Sequence, residues 1–489
     1  MGDVGHNCSI CVTRTFEDTV GFLEKLAHRG PEATGIGALR TDGLIDIVKW
    51  IGSTGAFKDL SLRRFFTGEY TFFFGHGRYA TKGGVDPLTE AHPIAIGGDE
   101  IRYPSFSVRK GARAAIVTNG QVPDLGIREG LETRVDSEQL LHYYHEHGPR
   151  ATMNDVALAY TAVFVDTKHG GVRVMRDRTG INPGVLGDRF DKAVVASEDI
   201  AIRRNDASVV ENLVPGAIYT LRADGSIDKE HVLPMTPRRC FFEWMYKAHP
   251  DSILDDRPVR SLREHIGREL AREYAPAVDV ITYLPESPWM AARMYADERG
   301  MLRALKHVFT KRTDERSFLE PDQESRDASI KKSLSLFPEY RADGGRELEG
   351  ATVLLIDDSI VRGTNSRRAL HMLRTRTGVK NVYLASCTAP LGIIGTDGVA
   401  RGCEYGVNIP PEAEFLARDP SGRNRSTEEV AQMLGYDEVH YLSIEGMQRA
   451  YHNAGIEPEG ALKGTKPSTL CTFCIGGPRP SLGLEARFS

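Results

Sequence analysis

Short apolar runs bounded by Gly, Asp and Asn dominate the first half of the chain and predict strands. The predicted strands cover residues 70–74, 114–117, 160–165, 171–175, 193–196 and 217–221. One helix is predicted early, because Val20, Leu23 and Leu26 recur at helical spacing after a capping-box pattern at Thr15, and it ends before Gly30. Many strands with few helices predict an α+β sandwich.

In the second half, apolar strands alternate with helices. A strand is predicted over 278–284 and a helix over 290–298, then a strand over 352–356, a helix over 366–375 and a strand over 381–385. This alternation is typical of a parallel α/β sheet. The Pro-containing stretch 233–239 is interpreted as a linker. We therefore expect one domain over 8–232 and another over 240–475, with a tail to residue 489.

Composition narrows the classes of protein that remain. The 489 residues include 62 Lys and Arg against 67 Asp and Glu, a formal net charge of −5, and 40% are hydrophobic. This slightly acidic balance argues against a non-specific nucleic-acid binder or a protein held on anionic membranes. No apolar run approaches the roughly 18–20 residues of a membrane span. Residues 1–7 lack the apolar core of a secretory signal. We expect a cytoplasmic protein with neither nucleic acid nor membrane as a partner.

The segment 353–366 carries the most specific pattern in the chain. Asp357 and Asp358 follow an apolar strand, and Gly363 and Thr364 come at the expected start of a helix. Carboxylates at this place suit ribose hydroxyls or Mg²⁺, whereas backbone N–H groups at a helix start suit a phosphate. The structural alternative is an acidic turn that only joins a strand to a helix.

This segment resembles the phosphoribosyl pyrophosphate (PRPP) motif of type I phosphoribosyltransferases, in particular that of the amidophosphoribosyltransferase family. Segments 243–246, 285–287, 316–318 and 441–446 agree with the family in the same order. The resemblance implies PRPP contacts from residues in and near the motif, namely Asp357, Asp358, Ser359, Arg362, Gly363, Thr364, Lys311 and Arg316. It also implies that Ser287 joins the two aspartates at a Mg²⁺ ion.

The first half independently resembles the class II glutamine amidotransferases, which have an N-terminal-nucleophile fold. The resemblance rests on segments 8–10, 27–37, 75–81, 119–120 and 136–138. It implies Cys8 as the nucleophile and Asn119 with Gly120 as the stabilisers of the oxyanion. It further implies Arg78 for the α-carboxylate of glutamine and Asp136 for its α-ammonium group.

Cys8 meets the chemical needs of amide hydrolysis if residues 1–7 are removed as a propeptide. Its free α-amine then lies beside its thiol, and because such amines titrate near neutral pH it can act as the base. Cys11 is the rival nucleophile. An incidental buried thiol is the structural alternative.

The seven cysteines do not indicate a disulfide framework in a chain of this size. Cys471 and Cys474 form a Cys-x-x-Cys pair, and Cys240 and Cys403 supply two more thiolates if the C-terminal tail folds back. Four thiolates suit a 4Fe–4S cluster or zinc, and spacing alone leaves both open. Resemblance to one branch of the family implies the 4Fe–4S cluster. Cys387 is the alternative to Cys403, and inert buried thiols are the structural alternative.

Together these segments predict an N-terminal-nucleophile sandwich followed by an α/β type I phosphoribosyltransferase domain with a parallel sheet. The expected enzyme transfers ammonia from glutamine to C1 of PRPP and yields 5-phosphoribosylamine, pyrophosphate and glutamate, the first step of purine synthesis. By resemblance, purine nucleotides are feedback ligands and the chain forms a homo-oligomer, a tetramer.

Two alternatives to this enzyme stay open. Ser9, Thr118 and Asn182 depart from the family pattern, which leaves room for an ammonia-dependent phosphoribosyltransferase with a weakened glutaminase. The other alternative is a non-catalytic sensor of PRPP or nucleotides.

Overall fold

The computed structural model describes residues 8–56, 61–78, 87–122, 124–127, 129–156, 159–312, 333–341, 347–407, 409–463 and 465–480. The α-helices in these ranges are α1 Phe16–Lys25, α2 Pro87–Glu90, α3 Asp136–Asp155, α4 Asp199–Arg203, α5 Val259–Glu273, α6 Trp289–Glu298, α7 Thr364–Arg376, α8 Thr427–Leu434, α9 Ile444–Asn453 and α10 Glu459–Leu462. None of the helices in the described ranges is both long enough and apolar enough to cross a bilayer.

The strands are numbered in chain order through the same ranges. They are β1 Ser9–Thr13, β2 Ala33–Arg40, β3 Ile45–Ile51, β4 Tyr70–Arg78, β5 Ile94–Ile96, β6 Asp99–Arg102, β7 Phe106–Ala112, β8 Ala114–Gly120, β9 Tyr160–Asp166, β10 Gly171–Arg176, β11 Val185–Asp188, β12 Ala193–Ala196, β13 Ser208–Asn212, β14 Ala217–Leu221, β15 Ile227–His231, β16 Arg239–Cys240, β17 Ile253–Leu254, β18 Arg257–Pro258, β19 Val280–Tyr283, β20 Phe309–Arg312, β21 Ser333–Leu336, β22 Thr352–Asp357, β23 Asn381–Ser386, β24 Glu438–Tyr441 and β25 Leu470–Cys471.

Two antiparallel sheets face each other in the first half, and we call this part the N-terminal sandwich. The larger sheet has the order β13-β11-β12-β1-β4-β2-β3-β7-β6, and the smaller one β15-β14-β10-β9-β8-β5. Ile10 and Val12 of β1 share a core with Val117 of β8 and Val163 of β9. α1 covers the outer face of the larger sheet and α3 that of the smaller one. The four layers confirm the predicted α+β sandwich.

The second half contains a four-stranded parallel sheet, and we call this part the C-terminal α/β unit. Its strand order is β19-β22-β23-β24. Helices α5, α6 and α9 pack on one face, and α7 and α8 pack on the other. Because both faces are covered, successive residues of β22 enter opposite cores, as Leu354 and Leu355 do. The predicted parallel α/β sheet is confirmed.

Several strands extend beyond the apolar runs that predicted them. β4 continues through Gly75, His76 and Gly77 to Arg78, because this stretch pairs with β1 on one side and β2 on the other. Sheet pairing therefore overrides the break in the apolar pattern. As a result, Arg78 and Asn119 lie at or next to the ends of strands in the sandwich.

The C-terminal tail folds back on the start of the C-terminal α/β unit. β25 pairs in parallel with β16, and this register sets Cys471 directly opposite Cys240. A short 3₁₀-helix, Phe473–Ile475, follows and contains Cys474. The tail thus folds back, as a site formed by Cys240, Cys403, Cys471 and Cys474 requires.

Candidate functional site

Cys8 leads directly into β1, which lies between β12 and β4 in the larger sheet. Its backbone carbonyl accepts a hydrogen bond of 3.3 Å from Nε of the buried Arg29, and its side chain is half-buried. Cys11 is fully buried, and burial raises its pKa to about 12. Because the thiolate is the nucleophile, this environment disfavours Cys11 and supports Cys8 as the candidate.

The surroundings of Cys8 depend on two glycines that approach each other closely. A Cβ atom on Gly30 would lie 2.2 Å from the carbonyl carbon of Gly77, and one on Gly77 would lie 2.5 Å from Oγ of Ser9. That hydroxyl accepts a hydrogen bond of 3.0 Å from the Gly77 N–H. Glycine is required at both positions, since any side chain there would separate the two segments.

Arg78 and Asp136, the expected partners of the amino-acid end of glutamine, both have protein partners in the structure. Arg78 ends β4 and forms a buried ion pair with Glu90. The Asp136 carboxylate begins α3 and accepts hydrogen bonds of 2.9 Å from the N–H groups of Val122 and Ser137. A guanidinium or a carboxylate can bind several partners at once, so these contacts are compatible with a ligand.

The Asn119 side chain is the group in the sandwich that most clearly lacks a partner. It is fully buried in β8, yet neither Oδ1 nor Nδ2 has a hydrogen-bond partner among the described residues. Such an unsatisfied buried group costs about 1–3 kcal/mol. A Cβ on the following Gly120 would lie 2.2 Å from the Ala159 carbonyl oxygen, which excludes a side chain there. A side-chain amide and a neighbouring N–H are the donors that a tetrahedral oxyanion needs.

Two stacked imidazoles lie on and beside the same strands. The ring centroids of His76 and His92 are 4.3 Å apart, and Nε2 of His76 lies 3.1 Å from the Thr118 carbonyl oxygen. Burial lowers the pKa of His76 to about 3, so this ring is neutral and a weak base. This environment is consistent with the α-amine of Cys8, rather than a histidine, as the base.

The departures from the family pattern have structural partners of their own. Oγ1 of Thr118 donates to the Thr161 carbonyl at 3.4 Å. Nδ2 of Asn182 donates to the Ala159 carbonyl at 3.1 Å, and Nε of Arg176 donates to the Asn182 carbonyl at 2.9 Å. These contacts fix the strands around Asn119.

In the C-terminal α/β unit, a cleft of about 520 Å³ opens at the carboxyl ends of the parallel strands. Its size is typical of a small-molecule site. The predicted residues that line it are Ser287, Lys311, Asp357, Asp358, Ser359, Gly363 and Thr364. Arg362 is exposed and is not part of this lining. Arg316 and the predicted propeptide 1–7 lie outside the described residues.

Gly363 allows the loop after β22 to turn into α7. Its φ of 75° is a left-handed conformation, and a Cβ there would lie 2.5 Å from Cδ2 of Leu434. Thr364, Asn365 and Ser366, the first residues of α7, line the cleft. The N–H groups at a helix start are donors for an anion, so this end of the cleft suits a phosphate.

The two aspartates after β22 share a buried acidic environment. Burial, and then the charge of Asp358, raise the pKa of Asp357 well above its usual range. Burial also raises the pKa of Asp358, against the opposing charge of Lys311. Ser366 donates to Asp357 at 3.3 Å and Ser359 to Asp358 at 3.1 Å. A cation in the cleft would favour the ionised form of both carboxylates.

The same cleft is bordered by the N-terminal sandwich. Ala27, His28 and Pro31 line it, together with residues 246–250 of the C-terminal α/β unit. His28 directly precedes Arg29, whose side chain contacts the Cys8 carbonyl. The loop after β22 and the segment 27–31, which contacts the Cys8 backbone through Arg29, therefore line the same cleft.

A buried ion-pair network joins the two halves at this border. Nη1 of Arg29 contacts Glu198 at 2.5 Å and Glu243 at 2.6 Å. Glu243 in turn contacts Nζ of Lys247 at 3.1 Å. Glu198 accepts a hydrogen bond of 2.5 Å from Ser252. We call Arg29, Glu198, Glu243 and Lys247 the interdomain network.

Four of the seven cysteines line one cavity beneath the tail. They are Cys240, Cys403, Cys471 and Cys474. Cys387, the alternative to Cys403, is buried near the acidic pair and is not part of this lining. The N–H groups of Tyr405 and Val407 donate to Sγ of Cys403 at 3.5 and 3.3 Å. The structure thus brings together the four predicted thiols.

The spacing of these thiols bears on what they can hold. Among the described residues, no three His, Cys, Asp or Glu side chains are close enough to bind a single metal ion. The four thiols instead surround a cavity whose other lining residues are mostly apolar and include Lys247. Soft sulfur donors around a common space are the ligands of iron–sulfur clusters and of structural zinc.

Sequence reasoning missed the interdomain network and Arg263. Nε and Nη2 of Arg263 donate to the carbonyls of Trp244 and Ala248 at 3.0 and 2.7 Å, and the residue lines the cleft. Burial lowers its pKa to about 10. The sequence did contain a signal: Arg263 lies on the apolar face of α5, between Leu262 and Ile266, where a charged residue is unexpected.

Comparison with known proteins gives relatives along nearly the whole chain. The amidophosphoribosyltransferase of Mycobacterium leprae is 30% identical over 485 residues, covering 94% of this chain and 78% of the relative. That of Methanocaldococcus jannaschii is 28% identical over 492 residues, covering 94% of this chain and 93% of the relative. The chain matches no protein-family profile.

A solved structure described as the allosteric regulatory enzyme of purine biosynthesis superposes with a TM-score of 0.73 at 25% identity. The match covers 96% of this chain and 98% of that one. Both halves of the fold and their connection are therefore shared.

Proposed function

The chain belongs to the amidophosphoribosyltransferase family, and from this premise we propose which of its residues carry each half of the reaction. The enzyme transfers ammonia from glutamine to C1 of PRPP and forms 5-phosphoribosylamine, pyrophosphate and glutamate, the first step of purine synthesis. Two chemically different steps are required, so two sets of residues are needed: one for amide hydrolysis and one for phosphoribosyl transfer.

In the first half-reaction, Cys8 attacks the side-chain amide of glutamine. Its α-amine, freed by removal of residues 1–7, accepts the thiol proton and returns it to the departing ammonia, which leaves a thioester on Cys8. Water then hydrolyses this thioester and releases glutamate and the free thiol. The Asn119 amide and the Gly120 N–H stabilise the oxyanion. Arg78 and Asp136 hold the α-carboxylate and the α-ammonium of the substrate. The amide of Asn119, which is fully buried and has no hydrogen-bond partner among the described residues, supports this assignment.

In the second half-reaction, Asp357 and Asp358 hold the ribose hydroxyls or the Mg²⁺ of PRPP, with Ser287 as a further contact. The start of α7 at Gly363 and Thr364 binds the 5-phosphate, and Ser359 lines the same cleft as a further contact. Lys311, Arg316 and Arg362 are assigned to the phosphates of PRPP as cations. Bound Mg²⁺ would supply positive charge against the leaving pyrophosphate. Carboxylate oxygens are the donors this ion prefers.

One observation carries the pairing of the two half-reactions. The cleft that contains the phosphate loop is also lined by Ala27, His28 and Pro31 of the sandwich. Arg29, the next residue after His28, contacts the Cys8 backbone. Ammonia released at Cys8 is therefore formed beside the cleft in which PRPP would bind.

The test is the Cys8→Ala variant assayed with each nitrogen source. We expect loss of the glutamine-dependent rate, because the nucleophile is gone, and retention of the ammonia-dependent rate, because the cleft is untouched. Cys11→Ala is the matched control and should keep both rates. Loss of both rates in a folded Cys8→Ala protein would contradict two separable sites.

The wild-type protein distinguishes the two alternative functions. If it uses only ammonia, the weakened-glutaminase alternative is supported, and if it shows no turnover, the sensor is supported.

The role of the Cys8 α-amine predicts that the active chain begins at this residue. Intact-mass analysis of purified, glutamine-active protein should give a chain that lacks residues 1–7. The free amine is the only base this mechanism needs, so retention of those residues blocks the first half-reaction. Full glutamine-dependent activity in a preparation whose mass includes residues 1–7 would overturn the assignment.

For the cofactor, we propose a 4Fe–4S cluster bound by Cys240, Cys403, Cys471 and Cys474. The common cavity, its mostly apolar lining and the N–H donors to Cys403 support this assignment. When bound, such a cluster would cross-link the start of the C-terminal α/β unit, the loop at Cys403 and the tail.

The remaining assignments follow from the family. We propose purine nucleotides as feedback ligands, a homotetramer, a cytoplasmic location, and a domain division at 8–232 and 240–475. The structural relative described as an allosteric regulatory enzyme supports the feedback ligands.

A further inference from the structure

Lys247 is a buried lysine that borders both the four-cysteine cavity and the PRPP cleft. Its side chain is 2% exposed. Lysine is rarely buried without an opposite charge, because the ammonium group loses its hydration. Among the described residues, the carboxylate in ion-pair contact with it is Glu243, at 3.1 Å.

Glu243 does not serve Lys247 alone. Its other carboxylate oxygen contacts Arg29 at 2.6 Å, and Arg29 also contacts Glu198. The lysine therefore shares its counter-ion with a buried guanidinium. The ion pair with Glu243 thus holds the Lys247 ammonium group at the wall of the cavity that the four thiols line.

We propose that Lys247 is the counter-cation of the cluster held by Cys240, Cys403, Cys471 and Cys474, and that Glu243 holds it at the cavity wall. The inference rests on the proposed 4Fe–4S assignment. An iron–sulfur core with four thiolates has a net negative charge, and each electron added makes it more negative. A cation fixed in a water-poor wall stabilises the reduced form more than the oxidised form, because the interaction is weakly screened.

The two members of this ion pair should shift the cluster's reduction potential in opposite directions. Lys247→Met removes the positive charge while keeping an unbranched apolar chain, so reduction becomes harder. Glu243→Gln keeps the shape but removes the negative charge that offsets Lys247, so reduction becomes easier. A change in packing alone has no reason to produce shifts of opposite sign.

The experiment uses full-length protein purified and reconstituted without oxygen. Iron and sulfide analysis gives the cluster content, and a redox titration followed by visible absorption and electron paramagnetic resonance gives the midpoint potential. We expect a more negative midpoint in Lys247→Met, a less negative one in Glu243→Gln, and a nearly unchanged one in Lys247→Arg. Lys49→Met removes another buried lysine, in β3 of the sandwich, and should leave the midpoint unchanged.

The outcomes separate this inference from the assignment beneath it. Wild-type protein that binds no iron and sulfide would overturn the cluster assignment and the inference with it. A wild-type cluster whose midpoint stays the same in Lys247→Met, or moves in the same direction in both variants, would overturn the inference alone. If Lys247→Met does not fold, an unchanged or more negative midpoint potential in Glu243→Gln would likewise overturn the inference alone.

Discussion

At the scale of single residues, the sandwich buries a side-chain amide that lacks hydrogen-bond partners among the described residues. Asn119 is fully buried, and both polar atoms of its side chain lack partners among the described residues. Buried polar groups are nearly always hydrogen-bonded, and exceptions need a reason. A substrate oxyanion that appears only during the reaction supplies one, because the donor is then satisfied in the transition state and not before it.

Replacing Asn119 tests this reading. Asn119→Ala should lower the glutamine-dependent turnover by about 10²–10³-fold, the usual effect of removing one oxyanion donor. The ammonia-dependent rate, measured on the same preparation, should stay unchanged and confirms that the protein is folded. Since the wild-type amide is unsatisfied, stability should change little or rise slightly in thermal unfolding. An unchanged glutamine rate would exclude the oxyanion role.

At the scale of elements, the strand β22, the loop after it and α7 form one binding device. The strand ends at Asp357, so this residue and Asp358 lie at the carboxyl end of the sheet. Gly363 makes the left-handed turn, and α7 begins beside the cleft. The strand end supplies negative charge, and the helix start supplies N–H donors. A ligand with both a bound cation and a phosphate matches this arrangement.

The raised pKa values of the two aspartates predict that ligand binding releases protons. Mg²⁺–PRPP requires ionised carboxylates, so affinity should fall as the pH drops through their raised pKa values and recover above them. Calorimetry in buffers of different ionisation enthalpy measures the release. Asp357→Asn with Asp358→Asn should abolish this proton release.

The double variant should also slow transfer from either nitrogen source by roughly two to three orders of magnitude, equivalent to about 3–4 kcal/mol. Wild-type-like turnover in that variant would move the active centre elsewhere.

At the scale of the whole molecule, buried charge rather than apolar surface alone connects the two halves. Arg29 and Glu243 are 214 positions apart in the chain and meet at 2.6 Å. Glu198 is bound by Arg29, His28 and Ser252 at the same border. Each charge in this set has an opposite partner, which is the condition under which burial is tolerated.

Breaking this set should destabilise the protein strongly. Glu198→Gln leaves the buried Arg29 with one carboxylate, and removal of one partner from a buried pair costs about 3–5 kcal/mol. Urea denaturation followed by fluorescence gives the change. The control is Glu17→Gln, which breaks the exposed Arg63–Glu17 pair and should cost at most about 1 kcal/mol. Equal midpoints for the two variants would contradict a structural role for the network.

The sequence by itself determined many of the elements, the strand–loop–helix arrangement around Asp357 and Gly363, and the Cys471–Cys474 pair. These depend on local rules: apolar periodicity, a glycine before a helix, and cysteine spacing. Such features can be predicted without knowledge of the fold, because their physical cause lies within a few residues of the chain. The resemblance added the roles of Cys8, Asn119 and Arg78, which remain to be tested.

Only the tertiary structure decided which distant groups meet. The parallel pairing of β16 with β25 sets Cys471 opposite Cys240, and the fold buries Lys247 beside them. It also pairs Arg78 with Glu90 and leaves Arg362 exposed, outside the residues that line the cleft. The sequence around a charged residue does not show which residue it will pair with or whether it will be buried. Those depend on chain segments far apart that come together only when apolar surfaces on both halves are packed.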